Sequence, residues 1–355
     1  MELKTFTQIL EIAFDKKVSD VHFEVDNPPF FRGRGQLLRS KLPKLTGEDT
    51  YFIVSKILEQ NNKTLTDDLK EMDAAYSISN GGRFRVSIFR QRGHFGIVMR
   101  AIPPSIGSFQ DLSLPPVLAE LVKAPNGLIL VTGPTGNGKS TTLASMVRYM
   151  NENFTHNIII IEDPIEFLFS SAKSCIIQRE VGIDTDSFTT ALRSAMRMDP
   201  DVIMVGEMRD TETIDGCIKA AETGHLVLST LHTQNASSTI NRLVGNFPPE
   251  SQEIIRQRLA DILVGVVSLR LLKDKTGEKV IPVVEVMRAT TTIQACIREG
   301  NLDDIEQHIE KGGAQYQMQS LDQHLIQLCK KNLITLEDAK RVSRSMDLDR
   351  KLNFT

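Results

Sequence analysis

The stretch from Gly133 to Thr141 constrains the fold of this chain more than any other feature. Its letters, GPTGNGKST, satisfy the pattern G-x-x-x-x-G-K-[ST]. An apolar run of strand length at 127–132 precedes it, and apolar residues at helical spacing over 141–151 follow it. Glycines let backbone N–H groups turn toward phosphate oxygens, and the N-terminus of the following helix adds partial positive charge. The sequence therefore predicts a binding site for a nucleoside triphosphate.

The loop supplies the candidate contacts to the nucleotide and to its metal ion. We expect Lys139 to reach the β- and γ-phosphates and the Ser140 hydroxyl to ligate Mg²⁺. A glycine-rich turn with an exposed lysine would show similar letters, but it would not need a strand before it and a helix after it. All nine loop residues are candidate binding residues: Gly133, Pro134, Thr135, Gly136, Asn137, Gly138, Lys139, Ser140 and Thr141.

The composition is that of an ordinary globular protein. The chain has 355 residues, of which 25% are charged and 41% are hydrophobic, and its formal net charge is -3. No apolar run approaches the roughly 20 residues of a membrane-spanning helix, and the first residues lack the pattern of a secretion signal. The four cysteines are scattered without a C-x-x-C pair, so we expect reduced thiols. These features predict a soluble, cytoplasmic protein.

The residue pattern changes along the chain and predicts four regions. An α+β domain is expected first, because helical patterns alternate there with half-buried strands. After a segment with proline and glycine, buried strands alternate with helices, which predicts a mostly parallel sheet. An apolar stripe from Ile255 to Val267 and the remaining chain follow helical patterns. The four regions are a first domain at 1–101, a linker at 102–115, an α/β core at 116–290 and a helical C-terminal region at 291–355.

Charged and polar side chains adjoin three predicted strands of the core, at 157–161, 202–205 and 226–230. Ligands in open α/β sheets bind outside the carboxyl ends of the strands, so we expect these side chains to face the phosphate loop. Each residue alone is a weak signal, but together, downstream of a phosphate loop, they indicate a nucleotide site. The candidates are Glu162, Asp163, Glu166, Glu207, Arg209, His225 and His232.

Two of these carboxylates are candidates for the catalytic base. Hydrolysis of the γ-phosphate needs a carboxylate that orients or deprotonates the attacking water, and Glu207 and Glu166 both fit. Gly206 stands where an aspartate usually holds Mg²⁺, so Glu207 is expected to serve the metal partly through water or to share that work with other carboxylates. The two histidines are expected to sense the γ-phosphate. Arg209 is either a phosphate sensor or a salt-bridge partner of Asp210.

Arginines are unusually dense in one predicted hairpin of the first domain. They occupy positions 83, 85, 90, 92 and 100. Two interpretations are open. Either these side chains line a solvated face of the strands, or one or two of them neutralise charge on a nucleotide held by a neighbouring subunit.

At these motifs the chain resembles the type IV pilus retraction ATPases, the PilT and PilU type of the secretion-ATPase superfamily. The matching segments are 19–22, 28–29, 32–33, 83–85, 161–167, 199–210 and 221–233. The resemblance implies an α/β fold in which a RecA-like P-loop ATPase domain follows a smaller PAS-like domain. The catalytic residues that it implies, for hydrolysis of ATP, are Glu207, Glu166, Lys139 and His232, with Arg83 and Arg85 acting on a neighbouring subunit.

The resemblance also implies a cellular role. Proteins of this family form homo-hexameric rings with nucleotide at the subunit interfaces. Hydrolysis would drive domain rotation and act through an inner-membrane platform protein to pull pilin subunits out of the fibre. The protein would then work at the inner face of the cytoplasmic membrane, attached through its partners, and no nucleic acid is expected among them.

Three alternatives to an autonomous retraction motor remain open. The PilT-type segment Ala-Ile-Arg-Asn-Leu-Ile is matched here at 292–297 by TIQACI, in which the isoleucines alone are retained, so the chain is alternatively an accessory PilU-type paralogue beside a principal motor. RecA-like rings also move nucleic acid strands, although the near-neutral charge counts against that function. A subunit that binds nucleotide without hydrolysing it is disfavoured by the intact Lys139, Glu166 and Glu207.

Overall fold

The computed structural model forms two compact units. The first unit comprises Met1–Ser105 with Pro164–Leu168, and the second comprises Ile106–Asp163 with Phe169–Thr355. The first division falls within the predicted linker at 102–115, and residues 164–168, predicted as part of the core, belong to the first unit. Pro103 and Pro104 of that linker lie outside the described residues. The described residues are 2–33, 36–79, 82–102, 105–345 and 348.

The first unit is an antiparallel sheet packed against two helices. Its sheet has the order β3-β2-β1-β6-β5-β4, and every neighbouring pair is antiparallel. The sequence pattern predicted both helices and four of these strands, but it did not predict β3 and β4. The elements are α1 (Leu3–Asp15), β1 (Asp20–Phe23), β2 (Phe30–Gly33), β3 (Gln36–Arg39), α2 (Gly47–Gln60), β4 (Glu71–Ser77), β5 (Arg83–Gln91) and β6 (His94–Ala101).

The core of the first unit explains its alternating strand sequences. On β5, Phe84, Val86 and Ile88 are fully buried, whereas Arg83 and Arg85 point to the opposite face of the sheet. Successive side chains of a strand face opposite sides, so one face of the sheet packs against the helices and the other carries the arginines. The predicted α+β domain is therefore present, with its arginines on the outer face.

The second unit is a twisted α/β sheet of seven strands. The sheet order is β13-β12-β7-β11-β10-β8-β9, and all neighbours are parallel except β13, which pairs antiparallel with β12. The first elements are α3 (Leu118–Leu121), β7 (Gly127–Thr132), α4 (Lys139–Asn153), β8 (Asn157–Glu162), β9 (Cys175–Glu180), α5 (Phe188–Ala195), β10 (Val202–Val205), α6 (Thr211–Glu222) and β11 (Leu226–Leu231). The later ones are α7 (Ala236–Gly245), α8 (Gln252–Ile262), β12 (Leu263–Lys273), β13 (Val280–Arg288), α9 (Thr291–Glu299), α10 (Ile305–Lys311), α11 (Gly313–Tyr316), α12 (Leu321–Lys330) and α13 (Leu336–Val342).

The central strands of this sheet are buried on both faces. Every residue of β7, β10 and β11 is buried, and two separate hydrophobic clusters cover the two sides of the sheet. Parallel strands in this position need continuous apolar sequence. The parallel α/β core that the sequence predicted is confirmed.

The helix predicted across Ile255 to Val267 is wrong in its second half. The helix α8 ends at Ile262, and β12 begins at Leu263 and pairs in parallel with β7. A fully buried strand carries a continuous run of apolar residues, and such a run also satisfies one face of a helix. The neighbouring strands therefore decide a conformation that the local pattern leaves ambiguous.

The C-terminal region is helical as predicted over its described residues. Five helices, α9 to α13, follow β13. Residues 346–347 and 349–355 of the predicted region lie outside the described part of the chain. Within the described residues, the helices are all too short or too polar to cross a membrane.

Candidate functional site

The loop after β7 has the backbone of a phosphate-binding loop. Gly133 has φ +145 and Gly138, the N-cap of α4, has φ +83. A Cβ at Gly133 would lie 2.6 Å from the carbonyl oxygen of Leu269, so only glycine fits there. The Lys139 side chain is folded back into the loop: its residue is 8% exposed, and its Nζ donates to the carbonyls of Gly133 (2.9 Å) and Pro134 (3.2 Å). The ammonium group is therefore held where phosphate oxygens would meet it.

Asn137 ties this loop to the neighbouring strand. Its Oδ1 accepts a hydrogen bond from the backbone N–H of Leu271 on β12 (2.8 Å), and its Nδ2 donates to the carbonyls of Pro134 (3.4 Å) and Thr135 (3.3 Å). Asn137 was predicted as a binding residue, and in the structure its side chain fixes the shape of the loop.

Glu207, Arg209 and His232 form one cluster beside the loop. The Arg209 guanidinium contacts Oε1 of Glu207, and Nε2 of His232 lies 3.6 Å from Oε2 of the same carboxylate. The hydrogen bond to Glu207 raises the pKa of Arg209 above its usual range. The Glu207 side chain is 17% exposed, whereas those of Arg209 and His232 are more than half exposed. The guanidinium of Arg209 and a ring nitrogen of His232 thus each lie beside one oxygen of a shielded carboxylate.

His232 connects this cluster to the phosphate loop. Its Nδ1 lies 3.4 Å from Oγ1 of Thr135, so one imidazole ring stands between the loop and Glu207. The strands β7, β11 and β10 are parallel neighbours and end at the same edge of the sheet, which explains why their following residues meet. Oγ1 of Thr230 donates to the carbonyl of Gly206 (2.7 Å) and aligns two of these strand ends. The predicted meeting of Lys139, Glu207 and His232 at one edge is therefore observed.

The salt bridge between Arg209 and Asp210 that the sequence left open is not formed. Asp210 instead accepts a hydrogen bond from the backbone N–H of Thr213 (2.8 Å) and is the N-cap of α6. A short acidic side chain satisfies a free N–H at a helix start, which explains this arrangement. Arg209 is left to pair with Glu207.

The three other predicted carboxylates have different surroundings. Glu162 is buried at the end of β8, and Asp163 is exposed and close enough to Arg209 for its charge to contribute to the raised pKa of that arginine. Glu166 is exposed and lies in the segment Pro164–Leu168, which belongs to the first unit. Glu207 belongs to the same unit as the phosphate loop, whereas Glu166 belongs to the other unit.

His225 corrects the sequence-based expectation. It precedes β11 and lies at the amino end of the strand, where its carbonyl accepts from the N–H of Gly127 (3.0 Å). Its Nδ1 is 2.9 Å from the carbonyl oxygen of Ala220 and 3.2 Å from Oγ1 of Thr223. Six strand residues separate this end from the loop edge, a distance of about 20 Å. His225 stabilises the turn before β11 and does not contact a nucleotide in the loop of its own chain.

The two predicted arginines of the first unit are polar residues on its outer face. Arg83 donates to Oγ of Ser77 (3.2 Å), and Arg85 lies 3.8 Å from the Asp73 carboxylate with 45% of its side chain exposed. Arg100, in contrast, holds the buried carboxylate of Asp20 at 2.9 Å. The Nε of Arg100 is therefore engaged by a buried carboxylate, although 71% of its side chain is exposed, whereas Arg85 has only the longer contact to Asp73.

A cavity of about 780 Å³ adjoins the phosphate loop and was not predicted. It is bounded by Asn137, Gly138 and Thr141 on one side and by the hairpin of β12 and β13 with the segment 111–114 on the other. This volume is typical of sites for small molecules. The apolar residues of its wall come from distant parts of the chain, so no local sequence pattern predicts the cavity. They are Leu112, Leu114, Leu269, Leu271, Val280, Ile281, Leu328 and Leu333.

The donor set fits a magnesium ion that is shared with a nucleotide. Mg²⁺ usually takes one or two protein ligands and completes its octahedron with phosphate oxygens and water. Ser140 at the start of α4, which follows β7, offers a hydroxyl, and Glu207, just after β10 at the same edge of the sheet, offers a carboxylate. The described residues contain no group of three or more His, Cys, Asp and Glu side chains that could hold a metal alone.

Comparisons with known proteins agree with this architecture. Residues 2–301 match the family model described as "Type II/IV secretion system protein". The type IV pilus retraction ATPase PilT of Pseudomonas aeruginosa is 40% identical over 95% of this chain and 98% of its own. The type IV pilus ATPase PilU of the same species is 36% identical, over 94% and 87%. A crystal structure of the pilus retraction motor PilT with bound ADP superposes with a TM-score of 0.88 at 41% identity, covering 98% of this chain and 99% of the other.

Proposed function

The chain belongs to the type II/IV secretion system family and is an ATPase of that family, and we propose that it is a motor that powers the retraction of type IV pili. The observation that carries this proposal is the identity of 40% to a retraction ATPase over nearly the whole of both chains. Retraction by disassembly of pilin subunits would underlie twitching motility. A second relative, from Neisseria gonorrhoeae, is named a twitching motility protein and is 40% identical over 90% of this chain.

The geometry of the loop supports the nucleotide contacts that we propose. The triphosphate lies on the backbone N–H groups of 133–141, and Lys139 turns from the loop carbonyls to the β- and γ-phosphates. The base occupies the apolar cavity beside Asn137 and Thr141. Ser140 and Glu207 would hold Mg²⁺, Glu207 partly through water, and the ion would supply positive charge against the phosphates.

Glu207 orients the water that attacks the γ-phosphate. Arg209 and His232 contact the two oxygens of this carboxylate. A γ-phosphate beside the loop competes with Glu207 for Arg209 and His232, because it carries more negative charge and more acceptor oxygens than one carboxylate. Transfer of Arg209 and His232 to the phosphate frees Glu207 for the water and stabilises the charge of the transition state. Arg209 and His232 therefore act as phosphate sensors.

The proposed assembly is a homo-hexamer with nucleotide at the interfaces between subunits. Arg83 and Arg85, on the outer face of the first unit, neutralise charge on the nucleotide of a neighbouring subunit. Force acts through an inner-membrane platform protein, so the ring works at the inner face of the cytoplasmic membrane and associates with it through partners. Nucleic acid is not among the proposed partners.

An accessory role beside a principal motor is the second candidate. The segment 292–297 lies on α9, and its two isoleucines, Ile293 and Ile297, are fully buried. The letters shared with the PilT-type segment are therefore packing residues, while the exposed Thr292 does not match it. This departure from the PilT-type segment is the observation behind the second candidate, a PilU-type paralogue that assists a second ATPase.

Steady-state ATPase activity, with mass measured on the same samples, tests the proposal. We expect turnover in a six-subunit assembly, loss of nucleotide binding in Lys139→Ala, and retained binding with turnover lowered at least about a hundredfold in Glu207→Gln. The exposed Glu212→Gln is the matched control and should hydrolyse ATP normally. Normal turnover in Glu207→Gln would refute the assigned role. Binding without turnover in the wild type, with activity regained beside a principal retraction ATPase, would favour the accessory role.

A further inference from the structure

A buried carboxylate lies behind the nucleotide site at Glu285 on β13. This residue is 1% exposed. Its Oε1 accepts hydrogen bonds from the backbone N–H of Ala236 (2.9 Å) and from Oγ of Ser268 (3.2 Å), and its Oε2 pairs with the Arg344 guanidinium at 2.5 Å. A buried charge is costly unless it is paired and hydrogen-bonded, and here both oxygens have partners. The pair joins β13 to the chain that follows α13.

One branch of this network leads to the phosphate loop. Oγ1 of Thr132 donates to Oγ of Ser268 (3.0 Å), and Ser268 donates in turn to Glu285. Thr132 and Ser268 are fully buried. Thr132 is the last residue of β7, directly before Gly133. Two hydroxyl groups in sequence therefore connect the Glu285 carboxylate to the first residue of the loop.

A second branch leads to the segment that carries His232. Between β11 and α7 this segment runs from His232 to Asn235. The carbonyl of Gln234 accepts from the Arg344 guanidinium (2.9 Å) and, at 3.4 Å, from Arg270. The N–H of Ala236, the next residue but one, is held by Glu285. The ion pair therefore fixes the segment at two points, two and four residues after His232.

The position of Arg344 depends on a second buried carboxylate, Asp322 of α12. This carboxylate is 3% exposed and accepts hydrogen bonds from Oγ of Ser343 (3.0 Å) and from the backbone N–H groups of Arg344 (3.1 Å) and Ser345 (3.1 Å). The segment after α13 is thus clipped to α12, and the guanidinium is aimed inward. A residue of the C-terminal helical region reaches the back of the nucleotide site in this way.

We propose that Arg344 and Glu285 are positioning residues for ATP hydrolysis. They hold the His232 segment and the start of the phosphate loop in one fixed relation, and docking of the segment after α13 on Asp322 keeps them in place. His232 stands 3.4 Å from Thr135 and 3.6 Å from Glu207, so a shift of its backbone changes both distances. The inference rests on the roles proposed above for Glu207 and His232.

The variant Arg344→Gln tests this inference in the full chain. A displacement of a catalytic group by about 1 Å can lower the rate of reaction by about a hundredfold. We expect kcat for ATP to fall about ten- to a hundredfold, while the Kd for ADP and the mass of the assembly stay unchanged, because Lys139 and the loop glycines remain. Asp322→Asn should also lower kcat, because Asp322 holds the segment that carries Arg344. The matched control is Arg341→Gln, since Arg341 is an exposed residue of α13 whose ion pairs are with Glu337 and Asp338 of the same helix.

A further variant covers the case in which Arg344→Gln does not fold. Arg344→Lys keeps the charge beside Glu285, but one ammonium group cannot also reach the Gln234 carbonyl with a rigid fork. We expect a stable protein with kcat lowered about tenfold. A kcat equal to that of the wild type in either foldable variant, alongside an inactive Glu207→Gln, would overturn the inference alone. Full turnover in Glu207→Gln would instead overturn the proposed site on which it rests.

Discussion

At the scale of single residues, Gly133 and Gly136 show that steric space and the backbone angle φ contribute separately to the cost of replacing a glycine. Both have positive φ, +145 and +77, but a Cβ on Gly133 would strike the Leu269 carbonyl, whereas a Cβ on Gly136 meets nothing within 4 Å. Gly136→Ala should therefore cost only the strain of a left-handed alanine, about 1 kcal/mol. Gly133→Ala should cost about 3 kcal/mol and weaken ATP binding, because β7 and β12 must also move apart. Urea unfolding and nucleotide titration of both variants check this, and equal losses would contradict it.

His324 is a residue whose protonation should control stability in mild acid. Its Nδ1 accepts from the N–H of Val284 (2.9 Å), and burial lowers its pKa from 6.5 to about 4. Between these two values the unfolded chain binds a proton that the folded chain does not, so stability is full above pH 6.5 and falls as the pH drops toward 4. The loss is roughly 3 kcal/mol at most.

Unfolding measured from pH 7 to pH 4 tests this assignment. His324→Gln keeps an acceptor for Val284 but cannot be protonated, so its stability should fall less steeply with pH than that of the wild type. The exposed His94→Gln is the control and should follow the wild-type curve. Identical slopes for His324→Gln and the wild type would show that this histidine is not responsible.

At the scale of elements, Asp210 shows that one residue can start a helix without serving the site beside it. Its side chain caps α6 through the Thr213 N–H. Asp210→Ala should destabilise the second unit by about 1 kcal/mol, and Asp210→Asn should be nearly neutral, because asparagine caps equally well. Both variants should bind and hydrolyse ATP like the wild type. A loss of turnover in Asp210→Asn would show that its charge also acts on the Arg209 and Glu207 pair.

The elements that the sequence predicted are those whose cause is local. The loop at 133–141 needs only glycines, a strand and a helix in sequence, and the cap of α5 needs only Ser187, which accepts from the N–H of Thr190 three residues later. In contrast, the apolar pattern of α8 continues into β12, and the strand conformation of β12 depends on its pairing with β7 and β13. The edge strand β3 has exposed Leu37 and Leu38 side by side, without the alternation of a half-buried strand. Tertiary pairing decides such segments.

The candidate site divides in the same way. Lys139, Glu207 and His232 follow parallel strands at their carboxyl ends, so their meeting could be predicted from the order of motifs. His225 precedes its strand, and the same rule places it at the far edge of the sheet. The contacts around Glu285 join residues from Thr132 to Arg344, which are about two hundred positions apart, and no periodicity connects them. Such contacts become visible only once the sheet order is known.

At the scale of the whole molecule, the two compact units carry different parts of the proposed chemistry. The second unit holds the phosphate loop, Glu207 and His232, while the first presents Arg83 and Arg85 on the outer face of its sheet. Arg100 is occupied by the buried Asp20, so Arg85, with its long contact to Asp73, is the better candidate for a nucleotide in another subunit. A ring would then be needed to complete each site.

Mixed rings of Lys139→Ala and Arg85→Ala subunits give a signal that only action between subunits can produce. Each variant alone should be nearly inactive. In rings assembled from equal amounts, about a quarter of the interfaces combine an intact Lys139 with an intact Arg85 from the neighbour, so about a quarter of the wild-type ATPase rate should return. Co-expression with two affinity tags isolates such rings, and mass measurement confirms their size. The exposed Arg92→Ala, at the turn between β5 and β6, is the control and should be active alone. If the mixed rings remain as inactive as their parents, Arg85 does not act on a neighbour.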